Sequence, residues 1–296
     1  MAAVVISGEA SAPGRVRRHL VRRRILAVVL VLGAIGLATI LYAYRTAVSD
    51  PVVRRAEFAL LPPEGAEAPV RLVLISDIHV AGPDMPPARL ARIVQQINAL
   101  APDAVLIAGD LVSDKRVSTR HYSLEDAISP LSGLSARLGV YAVLGNHDHW
   151  RHAGRARAAL RGAGIAVLDN AAARAGPLAI GGLDDAHTGR HDLPATWAEM
   201  RAAGGVPVLL SHSPDPFPDV PDEIGLMLAG HTHCGQIRLP LIGTLSTMSA
   251  HGDRYACGIV QEGGRTLVVG AGVGTSILPL RLGAVPDIWE ITLTRR

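Results

Sequence analysis

Hydrophobic and polar positions divide the chain into stretches of different character. From Ile25 to Tyr44 no charged residue occurs, and a helix rising ~1.5 Å per residue over that stretch would span the roughly 30 Å hydrocarbon core of a bilayer. Tyr42 and Tyr44 stand at its far end, where aromatic rings favour the headgroup region. Residues 45–69 carry Pro51, Pro62, Pro63 and Gly65 and read as a tether. From Val70 onward, short aliphatic runs alternate with stretches of helical period, which predicts an α/β domain over 70–296.

Within that domain, Val70 to Ile75 and Ala104 to Ala108 read as buried strands. Between them Leu90, Ile93, Val94 and Ile97 recur at helical spacing over Ala88 to Leu100, a helix opened by Pro86-Pro87 and closed before Pro102. The runs Val140 to Leu144, Pro207 to Leu210 and Leu226 to Ala229 repeat the strand pattern. Leu267 to Val269 and Ile288 to Leu293 predict late strands without intervening helices, so antiparallel pairing is expected there.

Charge changes the picture at the N-terminus. The chain carries 29 basic and 26 acidic residues. Six of the arginines (Arg15, Arg17, Arg18, Arg22, Arg23, Arg24) and a single acid, Glu9, precede residue 25, which leaves 23 basic and 25 acidic residues in the remainder. The basic character therefore belongs to a tail, residues 1–24, and the rest has no bulk attraction for nucleic acid. Arginines before an apolar span predict a cytoplasmic N-terminus, a transmembrane helix over 25–44 and a catalytic domain outside the cytoplasm. A cleaved signal peptide and a twin-arginine export signal at Arg22-Arg23-Arg24-Ile25-Leu26 are the alternatives. Cys234 and Cys257 are the only cysteines; a disulfide is allowed in an oxidising compartment, but two unpaired side chains are the expected arrangement.

Candidate chemistry follows the strands. Ser76-Asp77-Ile78-His79 comes after the first and Gly109-Asp110 after the second. Gly145-Asn146-His147-Asp148 comes after the third, and His212 and Gly230-His231-Thr232-His233 follow the later ones. Single pairs of this kind are common, whereas five in order, each at a strand end, are not. Strand ends of an α/β sheet converge on one edge. Imidazole and carboxylate donors without thiolate suit manganese, iron or zinc, and glycines before Asp110, Asn146 and His231 let the backbone turn sharply.

In this order the motifs resemble the calcineurin-like metallophosphoesterases over residues 70–293. The apolar span, with Gly-His-Thr-His-Cys-Gly-Gln followed by Leu239-Pro240, resembles their membrane-associated phosphohydrolase branch, some members of which hydrolyse UDP-2,3-diacylglucosamine. The resemblance implies a four-layer αββα sandwich of two mixed sheets and a pair of divalent cations. Asp77, His79, Asp110 and His233 would hold one cation, and Asp110, Asn146, His212 and His231 the other, with Asp110 bridging. A hydroxide shared by the cations would attack the phosphorus of a phosphodiester or phosphomonoester. His147 would assist the leaving oxygen without binding metal, with Asp114, Asp148 or neither as its orienting partner, because Ser113 stands where relatives carry an aspartate.

Cys234 departs from the family's usual glycine and is a candidate soft ligand or a plain loop residue. Asp184, Asp185, His187, His191, His149 and His251 are candidates for the pocket rim, and Arg281 is read as a surface arginine or a phosphate partner. The substrate expected is a phosphate ester, envelope-derived or lipid-linked, with UDP-2,3-diacylglucosamine and a non-catalytic interaction module as the alternatives.

Overall fold

The computed structural model describes residues 13–63, 68–113, 115 and 117–296. Residues 1–12 of the expected basic tail and Asp114 lie outside them. The chain forms two compact units, Met1–Tyr42 and Ala43–Arg296. The first consists of most of helix α1 (Pro13–Ala47), whose part from Arg18 is long and apolar enough to cross a bilayer. α1 stops short of Pro51, as a chain approaching proline does.

In the second unit the first sheet is built from β1 (Val52–Leu61), β2 (Val70–Ile75), β3 (Ala104–Ala108), β4 (Val140–Val143), β5 (Ala166–Val167) and the last strand of the chain. Helices α2 (Pro87–Ala99), α3 (Leu124–Ile128) and α4 (Asn146–Gly162) connect these strands. The second sheet comprises β6 (Ala171–Ala175), β7 (Leu178–Leu183), β8 (Val206–Ser211) and β9 (Leu226–Ala229), with α5 (Leu193–Ala203) between β7 and β8. A short hairpin, β10 (Arg238–Leu239) and β11 (Gly243–Thr244), precedes β12 (Gly258–Glu262) and β13 (Arg265–Val269), which complete the second sheet. The final strand, β14 (Asp287–Arg295), returns to the first.

Both sheets are six-stranded and mixed, in the orders β1-β14-β2-β3-β4-β5 and β12-β13-β9-β8-β7-β6. β2 to β5 run parallel, as do β7, β8, β9 and β13; β14 against β2 and β12 against β13 are antiparallel.

Strand alternation makes the layers. Leu72, Leu74, Leu106 and Ile291 of the first sheet meet Ile180, Val208, Leu210 and Leu228 of the second in a core between the sheets. Their neighbours Val73, Ile75, Val105 and Ile107 point the other way, onto Leu90, Ile93 and Ile97 of α2 and Leu160 of α4. Leu209, Met227 and Leu267 face Met200 of α5 and Phe217 on the far side of the second sheet. Each such side chain removed from water contributes about 1.5–3 kcal/mol, so the four-layer sandwich follows from residues one position apart facing opposite ways.

The tether expected over 45–69 is corrected in part. Val52–Leu61 is a ten-residue strand, paired in parallel with β14 from Val52 opposite Asp287 to Phe58 opposite Leu293. Arg54 and Arg55 interrupt its apolar pattern, yet each meets an acid of β14, Asp287 and Glu290, at 2.7 Å.

Candidate metal centre

The C-terminal ends of β2, β3 and β4 in one sheet and of β8 and β9 in the other open on the same edge of the sandwich, and each delivers its motif there. Past the strands the loops go on pairing. The N–H groups of Asp77 and His79 donate to the carbonyls of Gly109 and Asp110 at 3.1 and 2.9 Å, and Gly230 N–H donates to His212 O at 2.9 Å. Asp77, His79, Asp110, His231 and His233 all adopt positive φ, between 48° and 71°. Residues with a Cβ hold this left-handed conformation only where their surroundings impose it. Gly109, itself at φ 76°, lies so close to the next loop that a Cβ would stand 2.5 Å from Gly145 N. Only glycine allows that approach.

The side chains converge around Asp110. Its Oδ2 lies 3.4 Å from His79 Nε2 and 3.4 Å from His212 Nε2. On one side, His79 Nε2 faces His233 Nε2 at 3.1 Å, and His233 Nε2 is 3.5 Å from Asp77 Oδ1. On the other, His212 Nε2 is 3.0 Å from both Asn146 Oδ1 and His231 Nδ1. All seven residues are buried. Asp77, His79 and His233, and likewise Asp77, Asp110 and His212, form groups whose donor atoms lie within 4.8 Å of one another.

Hydrogen bonds at the back of the rings determine which lone pairs face the centre. Ala108 O accepts from His212 Nδ1 at 2.7 Å and Met248 O from His231 Nε2 at 3.2 Å, because a carbonyl only accepts. His231 Nδ1 therefore presents a lone pair to His212 Nε2, as do Asn146 Oδ1 and Asp110 Oδ2. Three acceptors around one nitrogen require a cation there, whether proton or metal.

The pKa directions say the same. Burial alone would lower His212, but the adjacent Asp110 carboxylate raises it to about 10. Burial lowers His231 to about 4 and holds His79 and His233 well below the usual histidine value. Burial also lifts Asp77 to about 6. Neutral imidazoles crowded beside carboxylates form a donor set that fits divalent cations of the manganese, iron or zinc type.

His147 stands at the edge of this ring: its donor atom also groups with those of His79 and Asp110 within 4.8 Å of one another. It is the second residue of α4, its N–H donates to Asp110 Oδ1 at 2.9 Å, and its Nε2 is 4.0 Å from Asp110 Oδ2. Its side chain keeps 15% exposure. The ring packs edge-on against His79 at 4.8 Å and the exposed Trp150 at 4.9 Å. The orienting role considered for Asp148 is not what the structure shows. That buried carboxylate accepts the N–H groups of Asp110, Leu111 and Gly145. The last of these bonds, three residues back to the start of a helix, is a capping signal readable in Gly-Asn-His-Asp.

Other expectations divide. His187 does line the rim, its ring 5.9 Å from Trp150 and 5.0 Å from His231. His149 pairs with Asp184 at 2.8 Å, and Asp185 accepts from the N–H groups of His187 and Thr188. His191 is exposed beside Asp192, and His251 packs on Tyr255 at 5.0 Å.

Two readings are overturned. Cys234 and Cys257 form a disulfide, their Cα atoms 4.7 Å apart, because the excursion after His233 folds back beside its own start; the Cys234 sulfur is thus no free ligand. Arg281 is neither a surface residue nor a phosphate partner. It is fully buried, donating to the carbonyls of Ala271, Gly272, Gly274 and Ala284, with its Nη2 3.3 Å from His233 Nδ1. Sequence reasoning missed Trp150 and the Met248 carbonyl, for which no motif exists.

The description "calcineurin-like phosphoesterase" matches residues 70–235. A metallophosphoesterase of Caenorhabditis elegans is 30% identical over 96% of this chain and 60% of its own length. A transmembrane protein with metallophosphoesterase domain of Danio rerio is 33% identical over 76% of this chain and 53% of its own. The phosphodiesterase YaeI of Escherichia coli is 30% identical over 76% of this chain and 83% of its own length. The chain thus spans less than two thirds of the first two relatives.

Proposed function

We propose, for a chain that belongs to the calcineurin-like phosphoesterase family, metal-dependent hydrolysis of phosphate esters at a centre of two divalent cations. Asp77, His79 and His233 would hold one, Asn146, His212 and His231 the other, and Asp110 both. The observation that carries this reading is the place of Asp110 Oδ2, 3.4 Å from a histidine of each half. Cations bound there would supply an activated water and neutralise the phosphate oxygens as charge develops. Asp110 keeps the halves in register through its own backbone, which is tied to His79 N and to Asp148. His147, on the open side of Asp110, donates a proton or hydrogen bond to the leaving oxygen.

Phosphodiester cleavage is the reaction favoured, since the Escherichia coli relative is named a phosphodiesterase. The apolar helix would anchor the chain in a membrane as a single pass. The Cys234–Cys257 disulfide supports placing the catalytic domain on the oxidising side. That placement favours an envelope or lipid-linked ester over a cytoplasmic nucleotide-lipid such as UDP-2,3-diacylglucosamine. A non-catalytic role is disfavoured because every donor position of both halves is filled.

The test uses the purified full chain with added Mn²⁺, assayed on bis(4-nitrophenyl) phosphate and 4-nitrophenyl phosphate beside Asp110→Asn. Metal-dependent turnover of the diester, lost together with bound metal in the variant, is expected. Metal-replete protein that leaves both esters intact refutes the proposal.

A further inference from the structure

We infer that two loops beside the metal centre, residues 237–249 and 276–283, rest on the headgroup region of a lipid bilayer and form a membrane contact additional to the helix. This inference builds on the reading that α1 spans a membrane.

Large exposed apolar side chains concentrate in these loops. Leu241, Ile242, Leu245 and Met248 lie in the first and Ile277 and Leu278 in the second, with Leu241 at 109% and Ile242 at 71% exposure. Scattered single residues of this kind are ordinary on a protein surface; a concentration of them marks a binding surface.

The loops are one structure. Arg238 N–H donates to Leu282 O at 2.7 Å, Leu282 N–H to Gln236 O at 3.0 Å, and the Gln236 amide bridges Leu278 O and Ser276 N at 3.1 and 2.8 Å. Several of their backbone polar groups are thereby paired with one another, which lowers the cost of taking those groups out of water. No acidic residue occurs between Ile237 and Ala250 or between Val273 and Val285. With Arg281 buried, Arg238 is the exposed charge of the two segments. Apolar tips without acids, beside a lone cation, suit the boundary between acyl chains and anionic headgroups.

The occupant is a bilayer because of where the second loop is fastened. Arg281 N–H donates to Ala43 O at 3.0 Å, and Ala43 lies in the last turns of the helix that is long enough to cross a membrane. The second loop is thus fastened to the residue that follows Tyr42 at the end of the charge-free stretch. The first loop is closed at its base by the disulfide and touches the centre through Met248 O on His231. Docking it on lipid holds the centre close to the headgroup plane, within reach of a phosphate carried by a lipid.

The experiment reads lipid exposure of nitroxide labels in the full chain, reconstituted in vesicles of phosphatidylethanolamine and phosphatidylglycerol. Labels at Leu241→Cys and Ile277→Cys are compared with Leu30→Cys in the helix and Ile259→Cys on β12; the native cysteines are occupied by their disulfide. Collisions with oxygen should dominate over those with a water-soluble nickel chelate at 241 and 277, as at 30, and the reverse should hold at 259. Nickel-dominated loops with an oxygen-dominated residue 30 overturn this inference and leave the membrane span standing. A nickel-dominated residue 30 overturns both. Dipolar broadening between labels at 241 that vanishes on dilution with unlabelled protein identifies a second copy as the occupant and also overturns it.

Discussion

The carboxylate of Asp148 sits behind Asp110 and accepts its backbone N–H at 2.8 Å. Because Asp148 also binds the N–H groups of Leu111 and Gly145, one side chain sets the spacing of the β3 and β4 loops. Asp148→Asn substitutes an amide nitrogen, which accepts nothing, and leaves a buried N–H unsatisfied at about 1–3 kcal/mol. Metal affinity is expected to drop roughly 10–100-fold with secondary structure retained, checked by metal analysis and circular dichroism.

His147→Ala should separate proton donation from metal binding. Its Nε2 is 4.0 Å from Asp110 Oδ2, farther than His79 or His212. Turnover is expected to fall about 10²–10⁴-fold with metal content unchanged. Loss of bound metal in this variant would make His147 a ligand instead.

Metal binding should become tighter as pH rises. The sign comes from His212, raised to about 10 in the metal-free protein by Asp110. A raised value means the folded form holds this proton through neutral pH, and a cation must displace it. Below pH 10, affinity in the half containing His212 should therefore rise by up to about tenfold per pH unit. Titration calorimetry at pH 7.5 in buffers of different ionisation enthalpy should report about one proton released from His212; a pH-independent affinity contradicts this.

The disulfide closes the segment that follows His233. Replacing both Cys234 and Cys257 by alanine should lower stability by about 2–4 kcal/mol, and reductant should shift the wild-type melting curve toward that of the variant. Differential scanning calorimetry with and without dithiothreitol provides the check.

Lys115, the only lysine, is buried with its Nζ at 2.7 and 2.9 Å from the Asp84 carboxylate and 3.0 Å from Thr275 Oγ1. Lys115→Met strands a buried carboxylate and should cost about 3–5 kcal/mol. Adding Asp84→Asn should recover part of that loss, a non-additivity measurable by urea denaturation.

The sequence by itself determined the elements that are dense and continuous in apolar residues. Val70–Ile75, Ala104–Ala108 and Leu226–Ala229 have the expected limits, because an aliphatic run bounded by turn residues has one low-energy way to be buried. It also placed every candidate donor at a strand end, where the structure brings all seven together. Local pattern did not reveal Val52–Leu61, whose arginines look like loop until β14 supplies their acids, nor the alanine-rich β6 and glycine-containing β7. Pairing between distant segments stabilises such strands more than their own composition does.

Tertiary structure alone decided that the candidate donors come from two sheets, that Asp148 braces Asp110, that the cysteines are joined and that Arg281 lies inside. Each of these is a contact between segments far apart in sequence, and spacing along the chain carries no distance between points that the fold has yet to bring together.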